Sequence, residues 1–244
     1  MLHKRIDGKV IGDQMLEKLH AEVISTKIHP HLLVLLIGDN PSSQSYIRQK
    51  KNAAERIGAI CTLLQFPADV SEEIIRNTIH TANLNTDIHG IIVQRPLPSS
   101  SQISEQVLNS VDLKKDIDGF LQDSPFEVPV AKAIITILEK IFYEQFNTPQ
   151  LDLISWLRKQ DIVVIGKGVT AGNPIRKILE RLGLPVVGID RSTPNPEEIT
   201  KGADIIISCV GKQGTIQASA IKSEAILLSV GLSRGTDGKI HGDY

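Results

Sequence analysis

The chain has 244 residues, 41% of them hydrophobic and 23% charged, with a formal net charge of −1. That length can bury a large core, as one α/β domain or two smaller lobes. The near-neutral charge leaves no electrostatic footprint for nucleic acid or an anionic membrane surface. No apolar run approaches the roughly 20 residues of a bilayer span, and Lys4-Arg5 is not followed by the apolar core of a secretory signal. Cys61 and Cys209 lie far apart in apolar, strand-like runs. They read as buried free thiols of a reducing compartment, so a cytoplasmic protein with no metal site is expected.

From the N-terminus, residues 9–25 carry Val10, Ile11, Met15, Leu19 and Val23 at the spacing of one helical face. His31–Ile37 is a continuous apolar run closed by Gly38, which fits a strand buried on both faces. A helix is expected from about Ser42 to Ile57, with Ser42 or Ser43 as its cap and Gly58 as its stop. Strand 60–66, helix 72–83 and strand 88–93 follow. Alternation at these lengths predicts βαβ units and a mainly parallel sheet. Residues 127–156 look helical but interrupted, with Asn147-Thr-Pro149 as the break; the segment 126–160 reads as a connection between lobes 1–125 and 161–244. The second lobe opens with the buried-strand run Asp161–Ile165, enters Gly166-Lys167-Gly168-Val-Thr-Ala-Gly172, and continues as a helix to about Leu182. Strands are expected at 185–189, ending in Asp190, then at 203–210 and 225–230.

Three short stretches carry chemistry. Tyr46 and Lys50 are four residues apart, so on a helix they share one face. Gln94 ends an apolar strand at the Pro-bracketed turn Gln94-Arg-Pro-Leu-Pro98. Lys115-Asp-Ile-Asp118-Gly119-Phe120 places carboxylates ahead of a glycine. Each residue also has a plainer reading: a solvated helix lysine, a packed aromatic, a turn-capping amide, a turn aspartate. Taken together they offer an aromatic face, a proton-transfer amine, an amide and an anion to a flat polar heterocycle. Gly166-x-Gly168 between a strand and a helix is a dinucleotide-loop signal, although Gly172 falls one residue later than in G-x-G-x-x-G.

These words, with Ile6-Asp-Gly-Lys9, Gly38-Asp-Asn-Pro41, Ala203-Asp-Ile-Ile-Ile207 and Asp237-Gly-Lys-Ile-His-Gly-Asp243, resemble the bifunctional methylenetetrahydrofolate dehydrogenase/cyclohydrolase family in content and order. The resemblance implies an N-terminal βαβ substrate lobe and a C-terminal Rossmann-like lobe with a parallel sheet, the folate lying between them. It implies oxidation of methylenetetrahydrofolate with NADP, the family's usual cofactor, Asp190 leaving NAD open, then hydrolysis of the methenyl form to formyltetrahydrofolate. By the same resemblance Lys50 transfers protons, Gln94 sets its position, Tyr46 stacks on the pterin and Asp118 accepts from the pterin ring. Gly166, Lys167, Gly168, Asp190, Arg191 and Leu232 are then the cofactor-binding set, and a homodimer is expected.

Several positions depart from the family pattern. Gly168 stands for a serine, Pro129-Val-Ala-Lys132 for Pro-Cys-Thr-Pro, and Ser229-Val-Gly for Asp-Val-Gly. Asp190 stands near the usual Cys-His-Ser, where an acid suits the ribose of NAD and adjacent Arg191 and Ser192 suit a phosphate. The sequence stops at Gly242-Asp243-Tyr244, before the family's glycine-rich loop and final helix. These changes fall on the cofactor side and keep two alternatives open: a cyclohydrolase without dehydrogenase activity, or a non-catalytic folate-binding or assembly subunit.

Overall fold

The structure is a computed structural model describing residues 5–146, 151–235 and 239–244. It divides into two compact units, 1–128 and 129–244.

The first unit alternates α1 (Gly8–Thr26), β1 (His31–Ile37), α2 (Pro41–Ile57), β2 (Ile60–Phe66), α3 (Glu72–Leu84) and β3 (Gly90–Val93), followed by the single turn α4 (Glu105–Leu108). Its three strands are parallel in the order β2-β1-β3. The central strand shows why a continuous apolar run was needed. Leu33, Leu35 and Ile37 enter a core with Ile75, Ile79 and Val107 on one face. Val34 and Leu36 meet Ile47 and Ile92 on the other.

Two local expectations are corrected in this unit. The cap of α2 is Asn40, whose Oδ1 accepts from the amides of Ser42 and Ser43, with Pro41 opening the helix. An Asn cap followed by Pro at the first helical position satisfies the orphan amides with a backbone already set for a helix, so neither serine is the cap. The expected apolar face of α1 is only partly used: Ile11 and Val23 are half-buried, while Val10, Met15 and Leu19 are exposed. This helix packs beside α2, where Arg56 meets Asp13 at 2.6 Å.

The second unit contains α5 (Pro129–Gln145), α6 (Leu153–Leu157), β4 (Ile162–Ile165), α7 (Gly172–Arg181), β5 (Val186–Ile189), α8 (Pro196–Gly202), β6 (Ile205–Ser208) and β7 (Ile226–Ser229). The parallel order is β5-β4-β6-β7, and a two-residue antiparallel pair, β8 (Ser233–Arg234) with β9 (Ile240–His241), lies near the C-terminus. Helix α5 buries Ala131, Ile134, Leu138 and Phe142 at helical spacing, and Phe142 meets Trp156 at 5.6 Å between ring centroids. The stretch read as a connection thus supplies packed helices, counted from Pro129 onward with the second unit. The expected break at 147–149 lies outside the described residues. Among those described, no helix is long and apolar enough to cross a membrane. Both cysteines are free but half-buried rather than buried.

Candidate functional site

In a parallel sheet whose strand order reverses, the carboxyl ends of the two central strands leave a crevice that binds ligands. In the first unit the reversal lies between β1 and β3, and Gln94 follows β3 directly. Its backbone amide donates to the Leu35 carbonyl (2.9 Å), extending the ladder by one residue and fixing where the side chain emerges. Gln94 is buried, and its amide nitrogen donates to the Arg95 carbonyl (2.8 Å), which leaves Oε1 facing outward as an acceptor.

Lys50 meets that acceptor: its Nζ donates to Gln94 Oε1 at 3.1 Å and lies 3.8 Å from Asp118 Oδ2. Tyr46, one turn earlier on α2, is 56% exposed, so its ring is available to a ligand. The four residues singled out in this unit therefore come from α2, the end of β3 and the 113–120 loop, and three of them touch directly.

The loop carrying Asp118 is held from several sides. Lys115 Nζ donates to three carbonyls at the end of α3, those of Ala82 (2.9 Å), Asn83 (2.8 Å) and Asn85 (2.6 Å). A cation there also complements the helix dipole. Gly90 lacks a Cβ that would fall 2.9 Å from the Ile117 side chain, so Ile117 packs down onto β3. Asp116 is buried and accepts from the Leu121 amide (3.0 Å). Gly119 adopts φ 65°, and a Cβ would meet the Phe126 carbonyl at 2.6 Å, so the turn after Asp118 requires glycine. Burial pushes the Asp118 carboxyl above its ordinary value, with Asp116 adding to the rise and the Lys50 ammonium pulling against it.

Three residues escaped the sequence reading. Lys115 and Arg95 lie inside the 115–120 and 94–98 motifs, where spacing gives neither a role of its own. Arg95 spans Glu105 with both terminal nitrogens (3.1 and 3.0 Å) and lies 5.7 Å from the Phe120 ring centroid, which places a cation near Asp118. Ser43, a turn before Ile47 on α2, is buried and its hydroxyl has no hydrogen-bond partner among the described residues. Only its i, i+7 spacing to Lys50 offered a sequence signal.

In the second unit the order reverses between β4 and β6. Gly166 follows β4 at φ 95°, and its missing Cβ would fall 3.2 Å from the Cys209 carbonyl at the end of β6. Gly172 opens α7, where a Cβ would sit 1.9 Å from the Gly166 carbonyl. The glycine loop is thus folded onto the start of its helix, and Ala171 provides no side-chain cap there. The amides of Ala171 and Asn173 donate to the Gly168 carbonyl (3.4 and 3.0 Å) and Pro174 has none, so it is the glycines, which let a phosphate come close to the loop backbone, that fit a dinucleotide. Gly168 has open space around its missing Cβ, so no steric demand excludes a serine at that position.

Lys167 reaches the carboxylate of Asp190 (Nζ to Oδ2, 2.8 Å). Arg191 is exposed, and Leu232 is 54% exposed beside Gly211. A second carboxylate, Asp243, is fully buried. It accepts from the Ser208 hydroxyl (2.5 Å) and from the amides of Val210 (3.0 Å) and Lys212 (2.9 Å), holding the loop after β6. Its own amide donates to Ser229 Oγ (2.9 Å), so the serine that departs from the family pattern fastens this loop. Burial and nearby Asp243 push the Cys209 thiol up to about 12, which keeps it protonated.

Comparison with known proteins agrees with both halves. Residues 6–118 match the family "Tetrahydrofolate dehydrogenase/cyclohydrolase, catalytic domain", and residues 152–244 match its "NAD(P)-binding domain". The bifunctional protein FolD of Oceanobacillus iheyensis is 33% identical, the match covering 98% of this chain and 83% of that protein. The FolD of Anoxybacillus flavithermus is 35% identical, with 98% and 84% covered. The crystal structure of the bifunctional methylenetetrahydrofolate dehydrogenase/cyclohydrolase from Campylobacter jejuni superposes with a TM-score of 0.85 at 28% identity, covering 97% of this chain and 84% of that one. The chain therefore belongs to the tetrahydrofolate dehydrogenase/cyclohydrolase family.

Proposed function

We propose that this protein oxidises methylenetetrahydrofolate to the methenyl form with NAD or NADP and hydrolyses that product to formyltetrahydrofolate. The observation that carries the reading is the Lys50–Gln94 contact at 3.1 Å beside Asp118, with Tyr46 exposed on the same helix.

Hydrolysis adds water across the methenyl carbon, which requires a proton to leave the water and one to reach the departing ring nitrogen. Lys50 is the group that moves them; Gln94 Oε1 keeps its Nζ at one position without sharing a charge. Asp118 accepts N–H groups of the pterin, a paired arrangement that suits a carboxylate. Tyr46 covers the ring face. In the oxidation, a bound nicotinamide supplies the hydride acceptor. The chain's own part is to bind the reactants, folate on the first unit and the dinucleotide on the glycine loop of the second. A cytoplasmic homodimer is part of the same reading. The intact Lys50, Gln94, Asp118 and Tyr46 set favours an enzyme over a binding subunit.

The test is an assay of both half-reactions on the purified chain, with NAD⁺ and NADP⁺ run separately. Turnover in both steps is the expected result. Hydrolysis without oxidation would reduce the function to a cyclohydrolase, and binding of folate without either reaction would make it a binding subunit.

A further inference from the structure

The carboxylate at the end of β5 bears on the choice between NADP, which the resemblance favours, and NAD, which an acid at this position admits. Asp190 follows Ile189 on the strand beside β4, so it stands next to the glycine loop. Its Oδ1 accepts from the Ser192 amide (2.9 Å), the Ser192 hydroxyl (2.7 Å) and the Thr193 hydroxyl (3.3 Å). The Asp190 amide in turn donates to Thr193 Oγ1 at 2.9 Å. The turn therefore fixes the carboxylate plane and fills the acceptor capacity of Oδ1. Among the described residues Oδ2 meets one donor, Lys167 Nζ at 2.8 Å, and a carboxylate oxygen has room for a second.

We propose that Asp190 makes this protein select NAD over NADP, its Oδ2 accepting from a hydroxyl of the adenosine ribose while its charge repels a 2′-phosphate. A ribose hydroxyl can donate; a 2′-phosphate at neutral pH carries negative charge and mainly accepts. The cation best placed to welcome that phosphate is already committed. Lys167 lies across the end of β5, its Cε 3.7 Å from where a Cβ on Gly188 would be, and its ammonium is paired with the ionised Asp190 instead of standing free for a phosphate. Arg176, beside the same strand, faces Glu180 at 3.5 Å. Lys167 and the Ser192 donors also hold the Asp190 carboxyl well below its ordinary range, so the charge persists at any physiological pH. Opposing the selection is Arg191, exposed and without an ion pair among the described residues.

The inference rests on the second unit being the dinucleotide site, and the experiment separates the two. Isothermal titration of the unliganded full chain with NAD⁺, NADP⁺, 5′-AMP and 2′,5′-ADP isolates the 2′ position without turnover. NAD⁺ and 5′-AMP are expected to bind roughly tenfold or more tightly than their 2′-phosphorylated counterparts, the scale of one screened charge repulsion. Asp190→Asn keeps the shape and removes the charge, and should bring the two dissociation constants within about threefold. Lys167→Gln leaves Asp190 uncompensated and should widen the gap. Equal or tighter binding of NADP⁺ to the parent chain would overturn the selection alone and assign the site to Arg191 and Lys167. Binding of none of the four probes would overturn the dinucleotide site and the selection together.

Discussion

Lys50 and Gln94 are separated by 44 positions in the chain, yet Nζ donates to Oε1 at 3.1 Å. The pair exists because β1 and β3 are neighbours and α2 begins just beyond β1. Lys50→Met keeps most of the side-chain volume and removes the ammonium. Hydrolysis of methenyltetrahydrofolate should fall by about 10²–10⁴-fold, the usual worth of a positioned proton-transfer group. The melting temperature should stay close to the parent's, since the lysine is only partly buried. Hydrolysis within a few-fold of the parent would remove Lys50 from the mechanism.

Asp118 gives a pH signature. Its folded pKa is raised above the ordinary 3.8, first by burial and then by Asp116. The carboxylate proposed to accept from a pterin therefore forms only as pH rises through a value above 3.8. Folate affinity, followed by fluorescence titration, should show an acid limb displaced upward from that of a free aspartate. Asp118→Asn should abolish the limb. Stability runs the other way: a raised folded pKa means the contribution is complete below the unfolded value and is lost as pH rises through the folded one. Asp118→Asn should accordingly leave the urea midpoint at neutral pH unchanged or slightly higher. A clear fall would mean that the Lys50 contact outweighs the burial of the charge.

Gly172 separates the two half-reactions. A Cβ there would lie 1.9 Å from the Gly166 carbonyl, so Gly172→Ala must push the glycine loop off its helix. Dinucleotide affinity should drop at least tenfold in a direct titration, and oxidation with it, because hydride transfer tolerates little misplacement. In the proposed mechanism hydrolysis uses residues of the first unit, so it should remain within a few-fold. Equal losses in both steps would tie hydrolysis to the second unit as well.

Asp243→Ala tests the buried carboxylate behind β6. The change strands the Ser208 hydroxyl and the amides of Val210 and Lys212. Ser208 is buried whereas Val210 and Lys212 are exposed, so the cost is that of one buried unpaired donor, about 1–3 kcal/mol. Chemical denaturation should show that loss in unfolding free energy. Asp243→Asn, which keeps one acceptor, should recover part of it. A loss under about 1 kcal/mol would mean that water replaces the carboxylate.

How much was legible beforehand differs from element to element. Strands β1 to β7 were readable because each is a short apolar run bounded by turn residues. A buried parallel strand needs that composition and little else. The short α8 and the β8–β9 pair were not foreseen, since seven residues with one Pro, or two residues of ladder, leave too weak a pattern. The cap of α2 was misplaced by two to three residues because Asn, Ser and Ser compete for one role. Only the structure shows that Asn40 took it and that Ser43 turned inward.

By itself, then, the sequence determined the alternation of strands and helices and the two parallel sheets, which depend on local pattern. Tyr46, Lys50, Gln94 and Asp118 stood out as candidates only through the resemblance of their motifs to the family, since spacing along one element also fits plain solvated or turn residues. Tertiary structure alone decided which of them meet, how far apart they sit, and what surrounds them. The tether of Lys115 on the end of α3, the commitment of Lys167 to Asp190, and the burial of Asp243 under β6 all join residues distant in sequence. Charge and hydrogen-bond strength depend on distance and burial, and both are properties of the folded chain.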